Sequence, residues 1–320
     1  MEQLKKIEYL SKIDGSMQPA LVRGAEGTEA RPLVVCLHTW SADIDRENYY
    51  AGYVAKSKEY NWHFIFPRFR GPNWLPEACG SDLVVSDLAC AVTYMKQNYN
   101  VDESRVFLVG GSGGGHASLL MAGRRPEIFT AISSWCPISD VKAWHDQVRT
   151  KKNNPLKRGY DNHIEEACGG DPSVDAEAAK QAEYRSPLTW LENAKDNVIL
   201  DIGAGIHDGH AGSVPISHAL NAFNKVARAE DRISEEDIAY MVENQAVPAR
   251  LLFEGEDEAY GANKVWFRRV SGNVRITIFE GGHDMVASAA FGFLNNQERG
   301  KQPIWNSGKA SVGDSMELTK

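Results

Sequence analysis

Residues 105–122 read RVFLVGGSGGGHASLLMA. The run 105–109 is rich in β-branched and aromatic residues and predicts a buried parallel strand. The run 117–122 predicts a helix. Between them, Gly110-Gly111-Ser112-Gly113-Gly114 fits the pattern G-x-S-x-G, a nucleophile elbow. A sharp strand-to-helix turn needs small residues on either side of the serine, where the two backbones approach each other. The helix N-terminus then directs N–H groups and a positive dipole at any oxyanion forming beside Ser112. Other readings of the glycines fit less well. A flexible Gly/Ser linker would not be flanked tightly by a strand and a helix. A P-loop needs Lys-Ser or Lys-Thr after its second glycine. A dinucleotide fingerprint would have His116 where glycine or alanine belongs.

The rest of the chain is consistent with one α/β domain. Its 320 residues can be used by one sheet with two helical faces. Hydrophobic residues make up 42% and charged residues 24%, as in ordinary globular proteins. A net charge of −8, with no basic stripe among aromatics, argues against a nucleic-acid partner. The cluster Arg149, Lys151, Lys152, Lys157 and Arg158 reads as a solvated loop. No apolar run is long enough to span a membrane. The N-terminal MEQLKKIEYLSKIDG has no apolar signal core, and the compartment stays open. Cys36, Cys90 and Cys136 lie in apolar runs and read as core residues. Cys79 and Cys168 share Ala-Cys-Gly contexts and are a candidate pair.

Alternating residues at 7–11 and 18–22 around Asp14-Gly15 predict an antiparallel hairpin. Further strands are expected at 32–37, 63–66, 130–134, 197–202, 250–254 and 274–279. Helices are expected at 47–57, from Asp82 onward, and at about 215–227. The alternation predicts a mostly parallel sheet with helices on both faces. Two stretches interrupt it. Residues 138–186 read as a helical cap over the site, and 229–248 as an acidic helical insertion. The single domain is expected to cover 1–305, followed by a loose tail at 306–320.

A serine hydroxyl needs a base, and the base needs an orienting acid. On a strand–elbow–helix scaffold the chain order is serine, then acid, then histidine. His283 follows the apolar strand 274–279 and Gly281-Gly282, at a carboxyl end where such sites lie. Asp208 follows the strand 197–202 in a glycine-rich loop and is the preferred acid. Asp257, in FEGEDE, is its rival. Asp201, inside the strand, reads as structural. His207, Asp208, His210 and His218 also resemble a metal cluster, but serine chemistry needs no metal and no H-E-x-x-H is present. No metal and no cofactor is implied. Trp40, Trp74, Trp135 and Trp144 fall in loops after strands or in the cap. They are candidates for an apolar substrate platform, with core packing as the alternative. His116, one turn past Ser112, is expected to pack under the elbow.

Over most of its length the chain resembles the prolyl-oligopeptidase-like branch of the α/β-hydrolases. The likeness is carried by IEYLSKIDGSMQPALV (7–22), FPRFRGPN (66–73), the elbow segment VDESRVFLVGGSGGGHASLL (101–120), YRSPLTWLENAKDNVILDIGAGIHD (184–208) with Ser213-Val214-Pro215, and FEGGHD (279–284). The resemblance implies an α/β-hydrolase fold and catalytic roles for Ser112, Asp208 and His283. It also implies an oxyanion hole from the N–H groups of Gly113 and Trp40. Trp40 is the third residue of His38-Thr39-Trp40, where Thr39 replaces a common glycine. Peptidases of the branch carry a β-propeller ahead of the hydrolase domain, and here only a few residues precede the first hairpin. The expectation is therefore a serine esterase working through an acyl-serine intermediate, with acetyl or feruloyl carbohydrate esters as a substrate class. A peptidase and a non-catalytic ligand-binding member of the fold are the alternatives. For an aminopeptidase, Glu165-Glu166 is the one cap candidate for holding a substrate amine.

Overall fold

Apolar strands at the centre of a parallel sheet must be covered on both faces, and that requirement organises the molecule. A computed structural model describes residues 4–46, 50–150, 159–308 and 315–318. The strands are β1 (Lys5–Leu10), β2 (Met17–Arg23), β3 (Arg31–Leu37), β4 (His63–Pro67), β5 (Val101–Gly111), β6 (Ala131–Trp135), β7 (Ile199–Gly205), β8 (Val265–Ser271), β9 (Val274–Phe279), β10 (Asp284–Val286) and β11 (Ser315–Glu317). The first nine form one sheet in the order β1-β2-β4-β3-β5-β6-β7-β9-β8. Its core from β4 to β9 is parallel, while the hairpin β1–β2 and the edge strand β8 are antiparallel. This is the mostly parallel sheet expected from the alternation, in the α/β-hydrolase architecture that the resemblance implies.

The helices are α1 (Ala51–Glu59), α2 (Asp82–Asn98), α3 (Gly113–Arg124), α4 (Val141–Thr150), α5 (Tyr160–Cys168), α6 (Ala176–Arg185), α7 (Ser217–Val226), α8 (Glu235–Asn244) and α9 (Ala287–Asn295). α2 packs with α3, and α1 with α9. Successive strand residues face opposite sides of a sheet. At the end of β5, Gly110 faces the main chain of Gly114 in α3, while Gly111 faces Leu318 on the other side. Ser81 caps α2 by accepting from the N–H of Val84.

Ion pairs tie these layers together. Arg70 bridges Asp14 at 2.8 Å and Asp87 at 2.5 Å, and Ser11 also donates to Asp87. The opening hairpin is thereby fastened to α2. Asp201, expected to be structural, pairs with Arg275 at 2.7 Å and accepts from Ser133.

Several expectations need correction. Residues 250–254 are not a strand. After Pro248 the chain makes a 3-10 turn at Ala249–Leu251, and Leu252 is 43% exposed. The edge partner of β9 is instead β8, which alternates Val265 and Phe267 inward with half-buried neighbours. The stretch 250–254 makes a single bond to the edge strand, from Phe253 N–H to the Trp266 carbonyl of β8 at 2.8 Å, because the 3-10 turn leaves too few extended residues for a ladder. The helix expected at 47–57 begins at Ala51 among the described residues, and 47–49 lie outside them. Of the expected loose tail, 315–318 is bound: β11 pairs antiparallel with β10. All five cysteines are free and buried, so Cys79 and Cys168 form no disulfide. Both sit in the core of the cap. Lys151, Lys152, Lys157 and Arg158 lie outside the described residues.

Candidate active site

Ser112 is held by the elbow in a conformation that few side chains adopt, with φ 57° and ψ −118°. Its N–H donates to the carbonyl of Trp135 at 2.9 Å, and its own carbonyl accepts from His116 N–H at 2.9 Å. The turn is possible because α3 and β5 touch at their main chains. A Cβ on Gly110 would stand 2.4 Å from the Gly114 carbonyl oxygen.

The candidate oxyanion donors are brought together by a second close approach. A Cβ on Gly113 would stand 2.5 Å from both the nitrogen and the Cα of Trp40. The Gly113 residue and the Trp40 amide are therefore neighbours at the elbow, as the sequence pattern requires. Asn73 secures the Trp40 residue. Its main-chain N–H and its side-chain Nδ2 both donate to the Trp40 carbonyl, at 2.9 and 3.3 Å, and its Oδ1 accepts from Cys79 N–H at 2.9 Å. Asn73 is buried, and sequence reasoning missed its role although it closes the FPRFRGPN segment.

Two strand ends deliver the base and acid. His283 follows β9, and Asp208 follows β7, the neighbouring strand. The Nδ1–H of His283 donates to Asp208 Oδ2 at 2.6 Å. The other carboxylate oxygen of Asp208 accepts from the N–H groups of Gly209, at 2.8 Å, and Val214, at 3.1 Å. The carboxylate is thus held by three donors, which fix its orientation toward the ring. Gly212 makes room: a Cβ there would stand 2.2 Å from Asp208 Oδ1. All three residues are buried, with Ser112 5%, Asp208 2% and His283 4% exposed. His283 Nε2 is buried and has no hydrogen-bond partner among the described residues.

The rival acid, Asp257, is occupied elsewhere. It pairs with Arg268 at 2.8 Å and accepts from Ala259 N–H. The histidines near Asp208 diverge. His207 lies between Gln245 and Glu280, His210 meets the Val242 carbonyl, and His218 meets Gln147 and the Ser139 main chain. Those three do not converge on Asp208 as a metal cluster would. The unforeseen neighbour is Cys136, whose Sγ lies within 4.8 Å of ligand atoms of Asp208 and His283. Its thiol donates to the Asp284 carbonyl at 3.3 Å, and burial pushes its pKa up.

The four tryptophans part company. Trp135 is fully buried in the sheet core against Phe279 and Tyr260, and its indole N–H donates to Ser133. It is not part of a substrate platform. It ends β6 directly beside Gly203, with no loop to carry it outward. Trp40 and Trp144 meet edge to face at 4.8 Å and join the oxyanion loop to the cap core. Trp74 is half-buried beside His163 of α5, with ring centroids 4.7 Å apart. His116 packs beneath the elbow as expected. Its Nε2 meets the Arg185 carbonyl at 2.8 Å, and burial pushes its pKa down to about 4. In the cap, Glu165 contacts His145 at 3.0 Å, while Glu166 is exposed.

Comparison with known proteins agrees with this geometry. Residues 81–236 match the model of the prolyl oligopeptidase family. No curated protein matches the chain. Among solved structures it is similar to acylaminoacyl peptidase from Pyrococcus horikoshii, at 14% identity and TM-score 0.55, over 88% of this chain and 37% of that one. It is also similar to an acylaminoacyl peptidase solved with Z-Gly-Gly-Phe-chloromethyl ketone, at 17% identity and TM-score 0.53, over 70% and 34%. A structure from a study of two prolyl endopeptidases matches at 18% identity and TM-score 0.52, over 71% and 32%. The chain thus spans about a third of the length of these structures. At such identities the structures speak for the fold. The match over residues 81–236 is to the prolyl oligopeptidase family, and with the shared fold it agrees with the prolyl-oligopeptidase-like resemblance read from the sequence.

Proposed function

We propose that this chain is a serine peptidase that cleaves peptide bonds through an acyl-Ser112 intermediate. The observation that carries the reading is the strained Ser112 at an elbow beside the Trp40 amide, with a buried His283–Asp208 pair on the adjoining strand ends. Ser112 Oγ attacks the scissile carbonyl while its proton passes to His283 Nε2. Asp208 keeps the Nδ1 proton in place and stabilises the imidazolium. The oxyanion of the tetrahedral intermediate accepts from the N–H groups of Gly113 and Trp40. Its collapse breaks the C–N bond, and the leaving amine takes the proton from His283. Water, activated by the same histidine, then hydrolyses the acyl-serine.

The peptidase reading is favoured by the family whose model matches residues 81–236 and by the acylaminoacyl peptidases and prolyl endopeptidase that share the fold. The carbohydrate-ester expectation rested on the few residues ahead of the first hairpin. A chain that spans a third of its structural relatives gives that argument no weight. Nothing in the site selects an ester over an amide.

The cap also bears on the substrate. A buried α-ammonium needs a carboxylate partner, and Glu165, half of the one candidate pair, is engaged by His145. This supports peptides with a blocked or distant N-terminus over free aminoacyl substrates. The test compares p-nitroanilides of acetyl-aminoacyl and free aminoacyl groups with p-nitrophenyl esters, on the wild type and Ser112→Ala. The expected result is Ser112-dependent turnover of the acetylated anilides above the free ones. Turnover confined to esters would overturn the peptidase reading and restore the esterase.

A further inference from the structure

The loops that carry Ser112 and His283 share one support outside the sheet. β11 pairs antiparallel with β10, matching Glu317 with Asp284, Met316 with Met285 and Ser315 with Val286. Asp284 directly follows the candidate base. The N–H of Leu318 continues the ladder and donates to the His283 carbonyl at 3.0 Å. The Leu318 side chain is buried beneath the other half of the site. Both of its Cδ atoms lie 2.6 Å from where a Cβ on Gly111 would stand, and Gly111 immediately precedes Ser112. Met316 fills the same role against Gly52 of α1, with its sulfur 2.6 Å from a Cβ position there.

One four-residue segment therefore grips the main chain of the base and fills the floor under the nucleophile. The end of β6 reaches both loops from the sheet side, where the Cys136 thiol donates to the Asp284 carbonyl at 3.3 Å. Asp208 orients the His283 ring, and the Trp135 carbonyl holds the Ser112 amide. His283 Nε2 has no hydrogen bond to Ser112, so the two reacting groups are registered only through what holds their loops. A misplacement of about 1 Å at such a pair can cost on the order of a hundredfold in rate.

We propose that residues 315–318 form a positioning strap that sets His283 against Ser112, with Leu318 as its principal residue. The proposal rests on the serine-hydrolase reading above. It explains why position 111 is glycine: a methyl group there and the Leu318 side chain claim the same space.

The experiment measures kcat, KM, melting temperature and the rate of Ser112 labelling by a fluorophosphonate on the full chain. The variants are Leu318→Ala, Leu318→Met, Gly111→Ala and Gly111→Ala with Leu318→Ala. Leu318→Ala is expected to lower kcat and the labelling rate by roughly ten- to a hundredfold, with KM within about twofold. Leu318→Met conserves volume and should recover most of the activity. Gly111→Ala should be severely impaired, and the added Leu318→Ala should return part of the loss, because the two changes compete for one space. Should Leu318→Ala fail to fold, the Gly111→Ala pair and Leu318→Met carry the same comparison.

Wild-type kcat in Leu318→Ala would overturn the strap, as would a change in KM alone or purely additive losses in the double variant. A wild type that labels at Ser112 while Leu318→Ala labels equally fast rejects the strap and leaves the hydrolase reading intact. A wild type that neither labels nor turns over substrate rejects both.

Discussion

The two sides of the candidate site are held by different chemistry. On the sheet side the support is main chain. Trp135 holds the Ser112 amide, Asn73 N–H holds the Trp40 carbonyl, and Gly209 and Val214 hold the Asp208 carboxylate. On the cap side the support is side chains. Arg185 donates to the carbonyls of Pro76, Ala78 and Cys79, the Trp144 indole donates to the Ser213 carbonyl, and Arg149 pairs with Asp171. His145 sits buried among Glu165, Asp146 and Asp171. Main-chain supports survive most substitutions and most pH values. Side-chain supports change with each residue and with each proton. The proposed chemistry thus rests on main-chain bonds, while the part that would shape the substrate pocket can be adjusted by substitution.

The largest effect should come from the sheet side. Ser112→Ala should lower kcat by about 10⁴–10⁶, with the unfolding midpoint nearly unchanged, since the hydroxyl makes no hydrogen bond that holds the elbow. Asp208→Asn should follow, at roughly 10⁴ in kcat. The amide would present a donor to His283 and favour the wrong tautomer. A steady-state assay with the same substrates checks both. If Asp257→Asn proved the more damaging of the two carboxylate changes, the pairing of Asp208 with His283 would not be the working one.

Asn73→Ala tests the frame at a side-chain joint. It removes the Nδ2 bond to Trp40 and the acceptor for Cys79 N–H but leaves the main-chain bond. A loss of about tenfold in kcat is expected, short of the 10²–10³ for losing an oxyanion donor outright. A change in KM with kcat intact would assign Asn73 to substrate binding instead.

The smallest effects should lie at the cap, and acid should reveal them. Burial pushes His116 down to about 4 and His218 down to about 3. Both histidines brace segments that border the cap, through the Arg185 carbonyl and the Ser139 main chain. Below about pH 6.5 the unfolded chain takes up protons that the folded chain refuses. Stability is therefore complete above that pH and is lost as pH falls toward the folded values. Each histidine should cost on the order of 1.4 kcal/mol per pH unit in that window. Urea unfolding at pH 7.5, 6 and 5 measures the slope, and His218→Asn should make it shallower. An equal slope in wild type and variant would detach His218 from the acid response.

Much of this was legible before any coordinates. The elbow announces itself because close backbone contact demands glycine at fixed offsets from the serine, and the strand at 32–37 announces itself as an unbroken apolar run. The order Ser112, Asp208, His283 follows from the strand ends that carry them. Less was legible where meaning depends on a partner far along the chain. Residues 250–254 have the composition of a strand but turn in a 3-10 helix and make one bond to the edge strand, whereas 265–271 forms a full ladder with β9. Trp135 and Trp144 look alike in sequence, yet one lies in the sheet core and the other in the cap core.

By itself the sequence determined the strand–elbow–helix unit, the parallel sheet and the set of residues able to act as nucleophile, acid and base, because these depend on local spacing and on the period of apolar residues. Only the tertiary structure decided between Asp208 and Asp257, assigned Asn73 to the Trp40 carbonyl, removed Trp135 from the substrate side and brought residues 315–318 beneath Ser112 and His283. Those decisions rest on contacts between residues tens to hundreds of positions apart, which no local pattern encodes.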